Sequence, residues 1–234
     1  MLRLAAVLVY ILAFPALAPT QSRRSQDLAV GKILVASRDL EDPNFAQTVV
    51  LLVHYDNVGV VGLVVNRRSR IPISRALEDL QGAKSRSDSI YVGGPVGRTN
   101  VLALVRSGEK VENAEHIFGE VYLVTKAEAL SKTMQSEAPA GSLRVYAGYA
   151  GWTPDQLKTE VDLGAWFIFP GDAGTVFSAN PGAIWTRMIE QTETRVALPP
   201  HQPLRMESGS AIYPSLLCAL KETPTRLNQQ QSRW

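Results

Sequence analysis

Apolar and polar positions alternate most clearly over residues 143–150. Leu143, Val145, Ala147 and Tyr149 share one face of a strand, and Arg144, Tyr146, Gly148 and Ala150 share the other. Gly148 and Gly151 leave room for a second backbone or a ligand to come close. The strand then turns straight into a helix. Thr153 suits an N-cap, Pro154 suits the first helical position, and Gln156 stands where a capping box places its reciprocal partner. A strand that ends in small residues against a helix start is a place where function can sit.

The rest of the chain is mostly strand-like. Residues 31–36 form a first strand. Residues 48–55 are β-branched and continuously apolar, as in a strand buried on both faces. Asp56, Asn57 and Gly59 turn the chain, and residues 60–65 return as a hairpin in which Gly62 marks a bulge or a close contact. Residues 66–70 read as a polar, basic connection, and 74–80 as a short helix closed by Gly82. Residues 90–97 form a strand that runs into a glycine turn, and 101–105 form another. Residues 118–124 lead into a helix capped by Thr125 and Glu128, with Ala127, Leu130 and Met134 facing inward. Residues 165–169 make a buried strand closed by Pro170, Gly171 and Asp172. Asn180 and Pro181 open a last core helix, with Ile184, Trp185, Met188 and Ile189 inward. Strands outnumber helices, and no regular strand–helix alternation runs through the chain. The expected class is therefore α+β.

Both ends differ from this middle. Arg3 precedes an apolar run from Leu4 to Ala18, broken only by the phenol of Tyr10. That is the length and composition of a secretory signal, and short for a transmembrane helix. Ala16 to Ala18 supplies a small-x-small cleavage pattern, with an awkward Pro19 behind it. The expected location is periplasmic or secreted. The alternatives are an inner-membrane anchor, if the segment is not cleaved, or the cytoplasm, if translation starts near Asp27. The expected organisation is a leader or anchor plus linker over 1–26, an α+β domain over 27–197, and a C-terminal extension over 198–234. The extension opens on Pro199, Pro200 and Pro203 and is helical over about 212–220.

Composition narrows the chemistry. The chain has 234 residues, 45% hydrophobic and 20% charged, enough for a sizeable core. A net charge of +2 is too weak to imply nucleic acid, and the run of Arg67, Arg68, Arg70 and Arg75 reads as a solvated loop. The single cysteine, Cys218, excludes an internal disulfide and a cysteine-rich zinc site, and its leucine neighbours suit a buried structural thiol. His54, His116 and His201 share no ligand spacing, so no metal site is expected. The Gly93-Gly94 turn is neither a Walker loop nor a dinucleotide fingerprint, and no nucleophile elbow occurs, so no cofactor and no catalytic residue are assigned.

Several segments, in order, resemble the motifs of the YqgE/AlgH family of small bacterial proteins. They are residues 41–45, 48–52 and 59–67, then 92–96, then 146–156, and together they extend the resemblance over about 31–190. The resemblance implies a branched, mostly antiparallel sheet curled into a pseudo-barrel with flanking helices. It also implies an association with regulation, including alginate production, and no established enzymatic activity. The chain departs from the family pattern in its leader, in Tyr55 where many relatives carry a histidine, and in Arg68 where relatives place a proline. His54 lies beside Tyr55 but points to the opposite face of the strand.

The candidate binding residues are Asn66 and Arg67 at the end of an apolar strand, Gly93 and Gly94 as a backbone anion nest, and Gly148 and Trp152 at the later strand end. The expected function is a non-enzymatic binding or regulatory protein of the cell envelope, with an unidentified protein or small-molecule partner. Membrane contact is expected only through an uncleaved N-terminal segment. The alternative is an enzyme of unknown class, with a polar pocket joining Asn66, Gly93-Gly94 and 148–152. A third reading, a cytoplasmic regulator touching nucleic acid, requires the leader to be false.

Overall fold

The computed structural model describes residues 25–136 and 141–197. Within them the apolar runs become ten strands: β1 (Ile33–Ala36), β2 (Val49–Tyr55), β3 (Val60–Val64), β4 (Arg68–Pro72), β5 (Ser89–Val92), β6 (Val96–Arg106), β7 (Glu115–Phe118), β8 (Val121–Val124), β9 (Leu143–Trp152) and β10 (Trp166–Phe169). Five helices accompany them: α1 (Ile73–Ala76), α2 (Ala127–Gln135), α3 (Pro154–Asp162), α4 (Ala173–Val176) and α5 (Ile184–Ala197). The architecture is α+β, with a mostly antiparallel sheet curled into a half-barrel.

The main path of the sheet runs β10-β1-β2-β3-β9-β6-β8-β7, with β4 and β5 as a branch. The branch forms on β9. Along one edge β9 pairs antiparallel with β6, from Leu143 opposite Val105 to Tyr149 opposite Val96. Along the other edge its first half pairs parallel with β5, at Tyr146 and Ala147, and its second half pairs antiparallel with β3, from Ala150 to Trp152. The fork lies at Gly93. Its N–H donates to Ala147 O at 2.9 Å, and its carbonyl accepts from Val64 N at 2.8 Å, so one residue ties the ends of β3 and β5 to β9. A side chain cannot be accommodated there, because a Cβ on Gly93 would lie 2.2 Å from the Gly148 carbonyl oxygen. A Cβ on Gly94 would meet the Tyr149 backbone at 2.2 Å, and Gly148 itself has φ +74°. The glycines of both motifs are thus the contact surface of the fork.

β9 also separates two cores. Leu143 and Val145 join Ile73, Val105, Leu130 and Met134 in a smaller cluster beneath α1 and α2. Tyr146, Ala150 and Trp152 join the larger cluster built from β1, β2, β3, α3 and α5. This explains the apolar continuity of β2, where Val49, Val50, Leu51 and Leu52 are all fully buried. Each such side chain contributes about 1.5–3 kcal/mol relative to exposure. The inward face of α5 is as its spacing predicts, with Ile184, Trp185, Met188 and Ile189 all buried. Trp185 Nε1 donates to the carbonyl of Ala36 at 2.8 Å and fixes α5 on β1.

Several local expectations are corrected. Residues 66–70 are not simply a connection, since Arg68–Pro72 pairs with β5 through an irregular register. The helix expected over 74–80 is the single turn α1, followed by hydrogen-bonded turns up to Ala83. The strand expected over 118–124 is two strands of a hairpin, broken at Gly119, where φ is +48°. α2 starts one residue later than expected from Thr125. The N-cap is Lys126, with no side-chain capping bond. At α3, Thr153 does accept from Gln156 N at 3.2 Å. The Gln156 amide turns forward to Glu160 at 2.9 Å instead of closing the box. The leader, His201, Cys218 and the helix expected near 212–220 lie outside the described residues.

Candidate functional site

Asn66 follows β3, and both ends of its amide are committed to the neighbouring loop. Oδ1 accepts from Val49 N at 2.9 Å, and Nδ2 donates to Gln47 O at 2.9 Å. Arg67 works on the same loop. It donates to the carbonyls of Asn44 at 2.7 Å, Pro43 at 3.1 Å and Ala46 at 3.2 Å. Burial pulls its guanidinium below the ordinary value, and the nearby charge of Asp42 opposes that shift. Together they hold the 43–47 turn, where Gln47 adopts a φ of +57°. Gly93, Gly94 and Gly148 meet backbone to backbone at the fork.

Trp152 belongs to an aromatic group. Its ring stacks on Phe45 at 5.5 Å and meets Trp166 edge-on at 6.0 Å. One carboxylate oxygen of Glu160 accepts from both indoles, Trp152 Nε1 at 3.0 Å and Trp166 Nε1 at 2.8 Å. Phe45, carried by the turn that Arg67 holds, closes this group from outside. The six expected residues therefore fall in two neighbouring assemblies, a loop clasp and a backbone fork, with Trp152 linking to the aromatic group.

A cavity of about 580 Å³ lies elsewhere and is lined by none of these six residues. It opens at the first half of β9, where Arg144 stands one position before Val145 and two before Tyr146. Alternation puts Arg144 on the face of the larger core, and it is only 6% exposed. Its guanidinium lies over the Tyr91 ring at 4.7 Å and the Phe177 ring at 5.7 Å, a cation–π arrangement on two aromatic faces. One terminal nitrogen donates to the carbonyl of Ser178. The other, NH1, is buried without a hydrogen-bond partner among the described residues. The Tyr146 hydroxyl, on the same face, is also buried and unpartnered, and its ring lies 5.4 Å from Tyr91.

Other charges ring the opening. Arg68 and Asp88 come from β4 and the turn before β5, while Arg106 and Glu120 come from β6 and the β7–β8 turn. Arg106 is spent on Glu120, with Nε at 2.7 Å and a terminal nitrogen at 2.6 Å from one carboxylate oxygen. Asp88 stands 4.0 Å from Arg86. Burial raises the Tyr91 phenol above its ordinary value. The charges of Arg144 and Arg68 oppose this, and Asp88 adds to it. Tyr91 is therefore a neutral donor at neutral pH. The Tyr146 phenol is driven up further, chiefly by full burial.

Sequence reasoning did not single out Arg144, yet it carried a signal. Its strand face also bears Tyr146, Gly148 and Ala150, which is not the composition of a solvated face. An arginine on such a face must be paired, stacked or offered to a ligand. The two histidines among the described residues are bonded locally. His54 Nε2 lies 3.2 Å from Asp56, and His116 Nε2 lies 2.7 Å from the Gly119 carbonyl. Among the described residues no group of three His, Cys, Asp or Glu side chains converges as a metal site, and no helix is long and apolar enough to cross a membrane.

The model of a family described as AlgH-like (DUF179) matches residues 33–197. A UPF0301 protein of Streptomyces avermitilis is 34% identical over 177 residues, covering 72% of this chain and 89% of the relative. A UPF0301 protein of Thermobifida fusca is 30% identical over 190 residues, covering 74% and 93%. Among solved structures, the AlgH protein from Pseudomonas aeruginosa superposes with a TM-score of 0.58 at 28% identity, covering 74% of this chain and 95% of that one. A crystal structure from Corynebacterium diphtheriae gives a TM-score of 0.62 at 21% identity, covering 76% and 90%, and shares the fold.

Proposed function

The chain belongs to the AlgH-like family, and from that premise we propose that it is a non-enzymatic binding protein of the cell envelope, whose cavity at Arg144 takes a small anionic ligand. The observation that carries this is Arg144, a nearly fully buried cation in the cavity wall, one terminal nitrogen of which has no hydrogen-bond partner among the described residues. A guanidinium is desolvated at a cost of several kcal/mol unless its donors are used. Tyr91 and Phe177 offset part of that cost, and the Ser178 carbonyl another part. Arg144 lines the cavity, so an anion entering there meets a positive charge that no carboxylate pairs among the described residues.

The chemistry around it supports recognition over reaction. Arg144 is a permanent cation, and Tyr91 stays protonated, so neither is a base at neutral pH. The cavity volume lies in the range of small-molecule sites. The envelope location rests on the apolar run after Arg3. Regulation then follows from occupancy: ligand binding between Arg144 on β9 and Phe177 after α4 would link the sheet to the segment leading into α5.

Native mass spectrometry of the protein from its own cells tests both parts. The expected result is an N-terminus after about Ala18 and a small acid that dissociates from wild type on denaturation and is missing from folded Arg144→Met. A folded variant that keeps the acid overturns the binding site. An intact or downstream N-terminus with cytoplasmic fractionation overturns the location.

A further inference from the structure

Resting on that reading, we infer that Arg68 is the residue that grips the ligand, with the Tyr91 hydroxyl as a second donor, and that the ligand's head is a phosphomonoester dianion. Arg144 is only 6% exposed and gives one terminal nitrogen to the Ser178 carbonyl, so it offers the cavity its charge more than its donors. The contact has to come from another wall residue. Arg68 also lines the cavity, is exposed, and makes no hydrogen bond or ion pair through its side chain among the described residues. It stands directly opposite Tyr91 where β4 pairs with β5. Side chains directly opposite each other in antiparallel strands share a face, with Cβ atoms about 4.5–5.5 Å apart. Arg68 therefore lies beside the ring on which Arg144 stacks at 4.7 Å.

The charges of the wall favour a dianion. Arg106 and Glu120 answer each other at 2.6 Å. Asp88 is answered from outside the wall by Arg86, 4.0 Å away. Arg68 and Arg144 are then the two wall charges that no carboxylate of the described residues pairs. A phosphomonoester carries close to two negative charges above its second pKa of about 6. A dicarboxylate also carries two, but at separate heads, whereas Arg68 is the one arginine of the wall with its donors free for contact. A guanidinium fork fits two oxygens of a single phosphate.

Tyr91 suits the part of second donor. Burial raises its phenol, the charges of Arg144 and Arg68 oppose that, and Asp88 adds to it, so the hydroxyl keeps its proton and can donate to a phosphate oxygen. Ser89, two positions earlier on the same strand face, also lines the cavity. Leu143, Phe177 and Ala179 supply apolar wall for the organic part of the ester. The side chain of Arg68 is not needed by the fold. The bond that fixes this end of β4 on β5 is made by backbone, from Val92 N to Arg67 O at 2.9 Å, and substitution of Arg68 leaves it in place.

The test titrates phenyl phosphate and benzoate into the full chain at pH 8, following backbone and arginine side-chain NMR signals. Wild type is expected to bind phenyl phosphate more tightly. Arg68→Gln is expected to cut that preference by about three- to tenfold, the effect of removing one unit charge from beside a dianion in a solvated cleft. Arg68→Lys, which keeps the charge and loses the fork, is expected to hold the preference while weakening both probes. Benzoate binding as tightly as phenyl phosphate, or a preference that Arg68→Gln leaves unchanged, overturns the assignment and leaves the anion site at Arg144 standing. Failure of both probes to move the signals of Tyr91 and Arg144 in folded wild type removes the anion site as well. Co-sedimentation with phosphatidylcholine vesicles carrying phosphatidic acid separates two carriers of the same monoester. Retention lost in Arg68→Gln places it on a lipid, no retention places it on a soluble molecule, and retention that Arg68→Gln leaves intact counts against Arg68.

Discussion

Replacing Gly93 by alanine should be among the most damaging single-methyl additions in this protein. The new Cβ would stand 2.2 Å from the Gly148 carbonyl oxygen and 3.2 Å from Tyr146 Cβ, whereas ordinary contact begins near 3.4 Å. The obstacle is backbone, so no side chain can rotate away. The fork has to open, and opening it lengthens two bonds, Gly93 N to Ala147 O and Val64 N to Gly93 O. Each is worth about 1 kcal/mol net, and the overpacking adds about 1–3 kcal/mol. The expected loss is therefore about 3–5 kcal/mol, a large part of a typical total of about 5–15 kcal/mol. With a urea slope of about 2 kcal/mol/M, the unfolding midpoint should fall by roughly 1.5–2.5 M. The buried indoles of Trp152, Trp166 and Trp185 report the transition by fluorescence. Gly108→Ala is the control, because a Cβ there meets nothing within 4 Å, and it should stay within about 1 kcal/mol of wild type. A Gly93→Ala midpoint equal to that of Gly108→Ala would refute the claim that the glycine motif exists to let three backbones meet.

Two further outcomes separate structure from binding and fix a sign with pH. Asn66→Ala orphans the N–H of the fully buried Val49 and should cost about 1–3 kcal/mol in urea unfolding, while leaving ligand occupancy at Arg144 unchanged; loss of the bound acid in folded Asn66→Ala would return the site to the β3 end. Asp172 caps α4, and its carboxyl is held below the ordinary range by the Thr175 hydroxyl first; burial, next in size, pushes the other way, and the backbone N–H groups of Thr175 and Gly174 and the charge of Arg187 add to the lowering. Its stabilisation is complete above the unfolded value of about 3.9 and fades as pH falls below it toward the folded value. Asp172→Ala should thus cost about 1 kcal/mol at pH 7 and progressively less below pH 4, and a gap that stays constant in urea titrations down to pH 3 would contradict this.

The sequence by itself determined the elements whose cause is local. β2 and β3 follow from β-branched apolar runs around an Asp-Asn turn, where Asp56 accepts from Val58 and Gly59 N–H groups at 2.7 and 2.9 Å. The start of α3 follows from Thr153 and Pro154, and the buried stripe of α5 from its spacing. The family motifs carried the branched sheet. Tertiary structure alone decided β4, because Arg68–Pro72 has no strand-like alternation and becomes a strand only where β5 offers it partners. It also decided what the motif residues do. Asn66 and Arg67 stand at a strand end, as a scaffold presents functional groups, yet their hydrogen bonds go to a turn some twenty residues earlier in the chain. The cavity was least legible of all. Arg144 comes from β9, Tyr91 from β5, and Phe177 from the end of α4. Local propensity encodes the strand that carries an arginine. Which aromatic faces enclose it, and which of its nitrogens is left without a partner, is set by packing between segments that meet only when the chain has folded.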